Sequence, residues 1–217
     1  MRRFLLAGLL LLSSAAVGEE YRVEAIKDKP SGAGLSPEIA AQLAPSGVKV
    51  VAGDKRVVCE IWPAKQWTSQ PDFQPSDTVL YPLKVGSLVG VLRFPRGGAD
   101  FRGQQIPSGL YTLRYGNQPV DGNHVGTFDT RDFLLMLPAK ADQSAAPIDE
   151  MDLFKVSAES AESSHPAIVP LVKAEEGKAP ALRNIEEKEW WTLRLVGKDA
   201  DGKSIPAELV VVGKAAE

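Results

Sequence analysis

A single cysteine in 217 residues excludes an intrachain disulfide framework and any multi-cysteine zinc site. Two histidines exclude a His-rich metal cage. There is no Walker loop, no H-E-x-x-H and no G-x-S-x-G, so the common phosphate, zinc-protease and serine-hydrolase signatures are missing. No apolar stretch approaches eighteen residues, which leaves no candidate transmembrane helix. No lysine and arginine cluster stands out, so nucleic acid, which is held by those residues at its phosphates, is a poor candidate partner. What is there is ordinary globular composition. The 44% apolar and 24% charged residues argue against global disorder, and the length suits one large domain or two small ones at most. With 19 glycines and 16 prolines, turns are plentiful.

The first eighteen residues read as a secretory signal peptide. Arg2 and Arg3 form a basic start, and residues 4–12 are a nine-residue apolar run, too short to span a hydrocarbon core of ~30 Å. Ser13, Ser14, Ala15 and Ala16 lead to a small-residue cleavage site, best placed after Ala16-Val17-Gly18. A retained N-terminal anchor is the alternative, and the short run followed by small residues disfavours it. No cysteine lies near the cut, so no lipoprotein anchor is expected. The predicted mature chain is 19–217, periplasmic or secreted. Loss of two arginines and no acid leaves 23 basic residues against 28 acidic ones, and moves the net charge from −3 to −5.

Beyond Gly18 the hydrophobic period is mostly two. Residues 21–26 alternate as a first strand. One helix signal follows: Ser36 as N-cap, Pro37 at the first helical position, Glu38 in the first turn, and Ile39 and Leu43 four apart on one face. Residues 48–51 and the strand around Cys59 form a hairpin across Gly53-Asp54, with Cys59 on one face with Val57 and Ile61. That unpaired thiol reads as a packed core residue, with ligand, nucleophile or intermolecular disulfide as the alternative. Residues 67–77 read as a polar loop; 78–83, 87–94, 109–115 and 132–137 read as strands, with 87–94 central and covered on both faces. Weak helical spacing marks 148–161. Pro170 demotes 167–173 to an edge strand or a bulge, and the charged 174–188 reads as a surface loop or frayed helix. Trp191, Leu193 and Leu195 alternate toward Asp199-Ala200-Asp201-Gly202, and Ala207, Leu209 and Val211 return as a closing hairpin. The glycine spacing there does not fit a calcium loop. The predicted fold is all-β: a single antiparallel β-sandwich over 19–217, jelly-roll-like, with one or two short peripheral helices. Gly103-Gln104-Gln105-Ile106-Pro107 and Gly202-Lys203-Ser204-Ile205-Pro206 echo each other, as one hairpin solution used twice.

The densest polar constellation is the loop 117–132 between two strands. It gives the candidate ligand-binding set Asp121, Asn123, His124, Asp129, Arg131 and Asp132, joined by Trp190. On the leading reading no cofactor is needed. The alternative is a divalent transition metal on His124, His165 and Asp121, since two imidazoles plus a carboxylate suit zinc, copper or iron. Asp121-Gly122-Asn123 also reads as a plain tight turn with His124 hydrogen-bonded across it. Trp190, facing away from Trp191 in a strand, either stacks on sugar rings from an exposed position or packs beneath 174–188. Trp62 and Trp67 are open to the same exposed reading. Partners on these readings are a protein or a polysaccharide. No catalytic set is assigned, because such sites are recognised by geometry rather than inventory.

The stretch Asp100-Phe101-Arg102-Gly103-Gln104-Gln105-Ile106-Pro107-Ser108-Gly109-Leu110-Tyr111-Thr112-Leu113-Arg114-Tyr115-Gly116, with Asp121-Gly122-Asn123-His124 and Arg131-Asp132-Phe133-Leu134-Leu135, resembles a family of exported bacterial proteins of unknown function. The resemblance runs from about residue 35 to 172. Its G-x-x-I-P-x-G-x-Y-x-L core is also similar to a broader class of bacterial β-domains. The family implies an exported bacterial β-domain and brings no activity, cofactor or site residue.

Overall fold

The computed structural model describes residues 19–32, 34–121 and 128–215. Ten strands join in one antiparallel sheet: β1 (Tyr21–Ile26), β2 (Gly47–Ala52), β3 (Arg56–Pro63), β4 (Leu88–Phe94), β7 (Gly109–Asn117), β8 (Asp132–Pro138), β9 (Ile168–Val172), β10 (Ala181–Ile185), β11 (Trp190–Lys198) and β12 (Ser204–Val212). The order is β1-β2-β3-β4-β7-β8-β9-β12-β11-β10. The short β5 (Gly98–Ala99) and β6 (Gln105–Ile106) pair separately. Two helices, α1 (Pro37–Gln42) and α2 (Glu150–Glu159), and one 3-10 turn (Glu186–Lys188) complete the described elements. Strand is 42% and helix 10%, so the expected antiparallel all-β class with short helices holds. No helix among the described residues is long and apolar enough to cross a membrane.

The sheet is nearly barrel-like. β1 comes round beside β10, and the rings of Tyr21 and Trp191 meet at 5.2 Å. Bulges between Val50 and Val51, Leu88 and Gly90, and Trp191 and Thr192 add the local twist and bend that such curling needs. One interior results, filled from opposite sides by residues such as Val50, Leu92, Leu134, Leu193 and Leu209. The segment 64–83 closes one end. Trp67 donates its backbone N–H to Lys198 O (2.7 Å) and its indole N–H to Val89 O (2.8 Å), so it ties β11 to β4 across the interior. Gly197 makes room for it, since a Cβ there would lie 2.1 Å from the Trp67 ring. Trp62 and Trp67 are both buried, so neither offers an exposed ring.

The helix start follows its sequence signals, with Ser36 Oγ accepting from Ile39 N–H at 3.1 Å. β4 is central and nearly all buried, as its two-sided apolar pattern predicts. β8 is buried throughout because Leu134 and Met136 enter the interior while Leu135 and Leu137 pack outward against Leu153 of α2.

Five expectations are corrected. Residues 78–83 form a loop, whose backbone is bonded by side chains and single bridges instead of a ladder. β9 is interior although it contains Pro170. It pairs β8 through 168–170 and β12 only through 171–172, so the ladder changes sides at the proline and its missing N–H is not needed. The segment 174–188 contains β10, and its charge fits a strand whose outer face carries an ion cluster. The β2–β3 bulge puts Val51 opposite Val57 and Val50 opposite Cys59, with Val58 between, so Val57 and Cys59 do not share a face. Trp191, expected in the core because it alternates with Leu193 and Leu195, is only half-buried, near the seam with β1.

Candidate functional site

The loop 117–132 leaves β7 and enters β8, and its two stems are fixed by hydrogen bonds. Arg131 donates its backbone N–H to Thr78 O (2.6 Å) and its Nε–H to Gln118 O (2.8 Å), which ties one stem to the other. Asp132, fully buried, accepts from Leu80 N–H (2.7 Å) and from the Tyr115 hydroxyl. Burial raises its pKa, against the opposing pull of those bonds, and burial likewise raises that of Tyr115. Arg131 and Asp132 therefore anchor the loop, and Asp132 has no open face for a ligand. Asp121 and Asp129 are exposed, and Asp129 pairs with Lys188 Nζ. Asn123 and His124 lie outside the described residues. His165 is exposed ahead of β9, with its backbone N–H donated to Ser163 Oγ at 3.2 Å. Among the described residues, no group of three His, Cys, Asp or Glu is placed to hold a metal ion.

Two concavities flank the loop, one at each stem. Phe128 and Asp129 line a groove of about 870 Å³ with Phe101, Lys188 and Trp190. Asn117, Gln118 and Pro119 line a narrow cleft of about 60 Å³ with Phe133, Leu135, Phe154 and Ile168. The wall between them includes Phe128 and Phe133, whose rings are 5.5 Å apart.

Trp190 forms the groove's base without being an open platform. It is 7% exposed, stacks on Phe128 at 5.4 Å and 19°, and meets Phe101 edge-on at 5.1 Å. Lys188 Nζ lies 4.7 Å from its ring centre, and its indole N–H donates to Lys214 O at 3.2 Å. Of the two readings for Trp190, packing is the one realised, under Lys188 and the aromatic pair. Among the described residues lining the groove, Phe101 and Trp190 are buried and Phe128 is half-buried.

The sequence singled out neither Phe101 nor Arg102, yet they reach the groove and the cleft respectively. A signal was available in the echo. Asp100 Oδ1 accepts from Arg102 N–H (3.0 Å) and Gln104 N–H (2.8 Å), and Asp199 Oδ1 accepts from Asp201 N–H (3.0 Å) and Lys203 N–H (2.8 Å). Gly103 and Gly202 take φ +81° and +79°. The same turn is thus built with Phe-Arg in one copy and Ala-Asp in the other, so the turn itself requires neither Phe101 nor Arg102.

No protein-family model, curated protein or solved structure matches this chain.

Two further buried charge clusters, around Arg114 and Glu208, lie away from the loop. Arg114 is fully enclosed, and all five of its N–H groups are used, on Asp142, Gly86 O, Ala146 O and Ser144 O. Asp142 also accepts from Thr112, so this cluster fastens the 139–148 connection to β7. Glu208 accepts from Thr192 Oγ1 (2.6 Å), Glu175 N–H (3.1 Å) and Arg183 Nε (2.7 Å), with Arg194 at 3.5 Å. Burial works upward on the Glu208 carboxyl, but those bonds outweigh it and hold its pKa below the usual range. Cys59 is buried, and desolvation, aided by the charge of Glu60, pushes its thiol up to about 12. Such a thiol is a core residue and a poor nucleophile.

Proposed function

We propose that this is an exported, non-enzymatic binding module that contacts its partner through the surface around the 117–132 loop. The observation that carries the reading is the pair of concavities at the two loop stems, with the aromatic groove between Phe101, Phe128 and Trp190 as the larger. Binding sites of this kind are concave, partly aromatic and built on rigid neighbours, and here the stems are fixed by Arg131 and Asp132. The curled sheet serves as a sandwich-like scaffold, its two halves facing each other across one core. Residues 1–18 are the signal peptide on this reading, with cleavage near Gly18 and release to the periplasm or the medium. β1 begins at Tyr21, so that cut removes no described strand. Membership in the uncharacterised exported family belongs to the same proposal.

Two measurements test it. N-terminal sequencing of protein from a cell-envelope fraction is expected to begin at Glu19; a chain retaining residues 1–18 contradicts export by cleavage. Titration with envelope polysaccharides and peptides is expected to change the tryptophan emission of the parent and not of a Trp190→Phe variant, and Phe128→Ala to weaken that change. A groove silent to every ligand contradicts the binding reading.

A further inference from the structure

We propose that the cleft between α2 and the 117–119 stem binds a free fatty acid, an unbranched alkyl chain entering the cleft with its carboxylate on Arg102. The proposal rests on the reading of the loop surface as a ligand site and names a ligand class for one half of it. Most of the lining is apolar: Phe133 and Leu135 from β8, Ile168 from β9 and Phe154 from α2, with Pro119 and Pro166. An apolar cavity of ~150 Å³ accepts a benzene ring and stays dry when empty. At about 60 Å³, this cleft suits a narrow chain end better than a sugar ring or a planar aromatic.

Three polar residues share the lining, and two of the three are engaged. Asn117 donates its amide to the Tyr115 hydroxyl (3.0 Å) and Arg131 O (3.4 Å), and Gln118 O accepts from Arg131. Arg102 differs. Among the described residues its guanidinium makes no hydrogen bond or ion pair, while its backbone is held by the Asp100 turn. An exposed guanidinium beside an apolar slot is charge-complementary to one kind of ligand, a carboxylate carrying an apolar tail, which the planar fork can take with two parallel hydrogen bonds. A cationic head is repelled, and a neutral head forfeits the charge-assisted pair.

The test is an NMR titration of the full mature chain with octanoate, octylamine and 1-octanol, following Ile168 and Leu135 methyl groups. Octanoate is expected to shift both methyls and to bind at least about tenfold more tightly than octanol or octylamine. Arg102→Gln, at an exposed position that the fold does not use, is expected to weaken octanoate about tenfold and leave octanol unchanged. Phe154→Trp, which narrows the slot, is expected to weaken both. Unmoved methyls, an octylamine affinity equal to that of octanoate, or an Arg102→Gln variant that binds like the parent would each overturn the proposal. A protein that ignores octanoate but answers the Phe128→Ala fluorescence test loses this ligand and keeps its binding surface; silence in both experiments removes the surface as well.

Discussion

Cys59 shows how burial decides a residue's chemistry. Only the thiolate reacts, and a thiol pushed up to about 12 holds almost none at neutral pH. Native protein is expected to resist alkylation by iodoacetamide and to take one label per chain once unfolded in urea; rapid native labelling would contradict the burial. Asp142 is a second residue whose loss has one reading. Removing it strands the enclosed Arg114 charge, so Asp142→Ala is expected to cost about 3–5 kcal/mol in urea unfolding. Glu208 sets a pH dependence. Its folded pKa lies below the ordinary 4.5, so its contribution is present above that value and is lost as pH falls through the folded pKa. Asp132, raised by burial, acts with the opposite sign, its contribution being full below 3.8 and lost as pH rises. Urea midpoints between pH 3 and 7 are expected to fall on the acid side, and Glu208→Gln to flatten that fall. An unchanged slope would remove Glu208 from the account.

At the scale of elements, the twin turns give the sharpest comparison. Gly103 and Gly202 both have open space for a Cβ, so Gly→Ala at either is expected to cost only the left-handed backbone strain, about 1–2 kcal/mol. The aspartates should differ. Asp100 also accepts from Gln104 Nε2 (2.9 Å) and Ile168 N–H (3.2 Å), bonds that Asp199 lacks, so Asp100→Ala is expected to exceed Asp199→Ala by about 1–2 kcal/mol. Equal losses in thermal or urea unfolding would show that those extra bonds are idle. These turns were legible because they depend on local chemistry alone: an aspartate to collect N–H groups and a glycine at positive φ. The helix at Ser36-Pro37 and the strands β4, β8, β11 and β12 were legible for the same reason, each carrying its period within its own residues. Pro170 misled because its place depends on which neighbour pairs at each residue, a fact held by β8 and β12. β10 hid because its outer-face Arg183 answers Glu208, far along the chain. For the candidate site, the ends of 117–132 at β7 and β8 were legible, because the apolar alternation stops at Asn117 and resumes at Asp132. The aromatic trio was not, since Phe101, Phe128 and Trp190 meet only after the sheet has folded.

At the scale of the whole molecule, the sheet curls until its two end strands meet. Ten strands in one antiparallel order bring the first strand back to the tenth, and the outer face of β8 and β9 then carries α2 on one side and the aromatic cluster on the other. The cleft and the groove are the spaces left between those coverings, so both depend on the curl. Gly197 tests it indirectly, because a methyl group there meets Trp67 and should disrupt the end plug that ties β4 to β11. Ring-to-ring nuclear Overhauser contacts between Tyr21 and Trp191 test it most directly. Their centres lie 5.2 Å apart only because the sheet returns on itself, so cross-peaks between the two rings are expected in the native protein. A spectrum with an intact β1–β2 ladder and no contact between those rings would contradict closure.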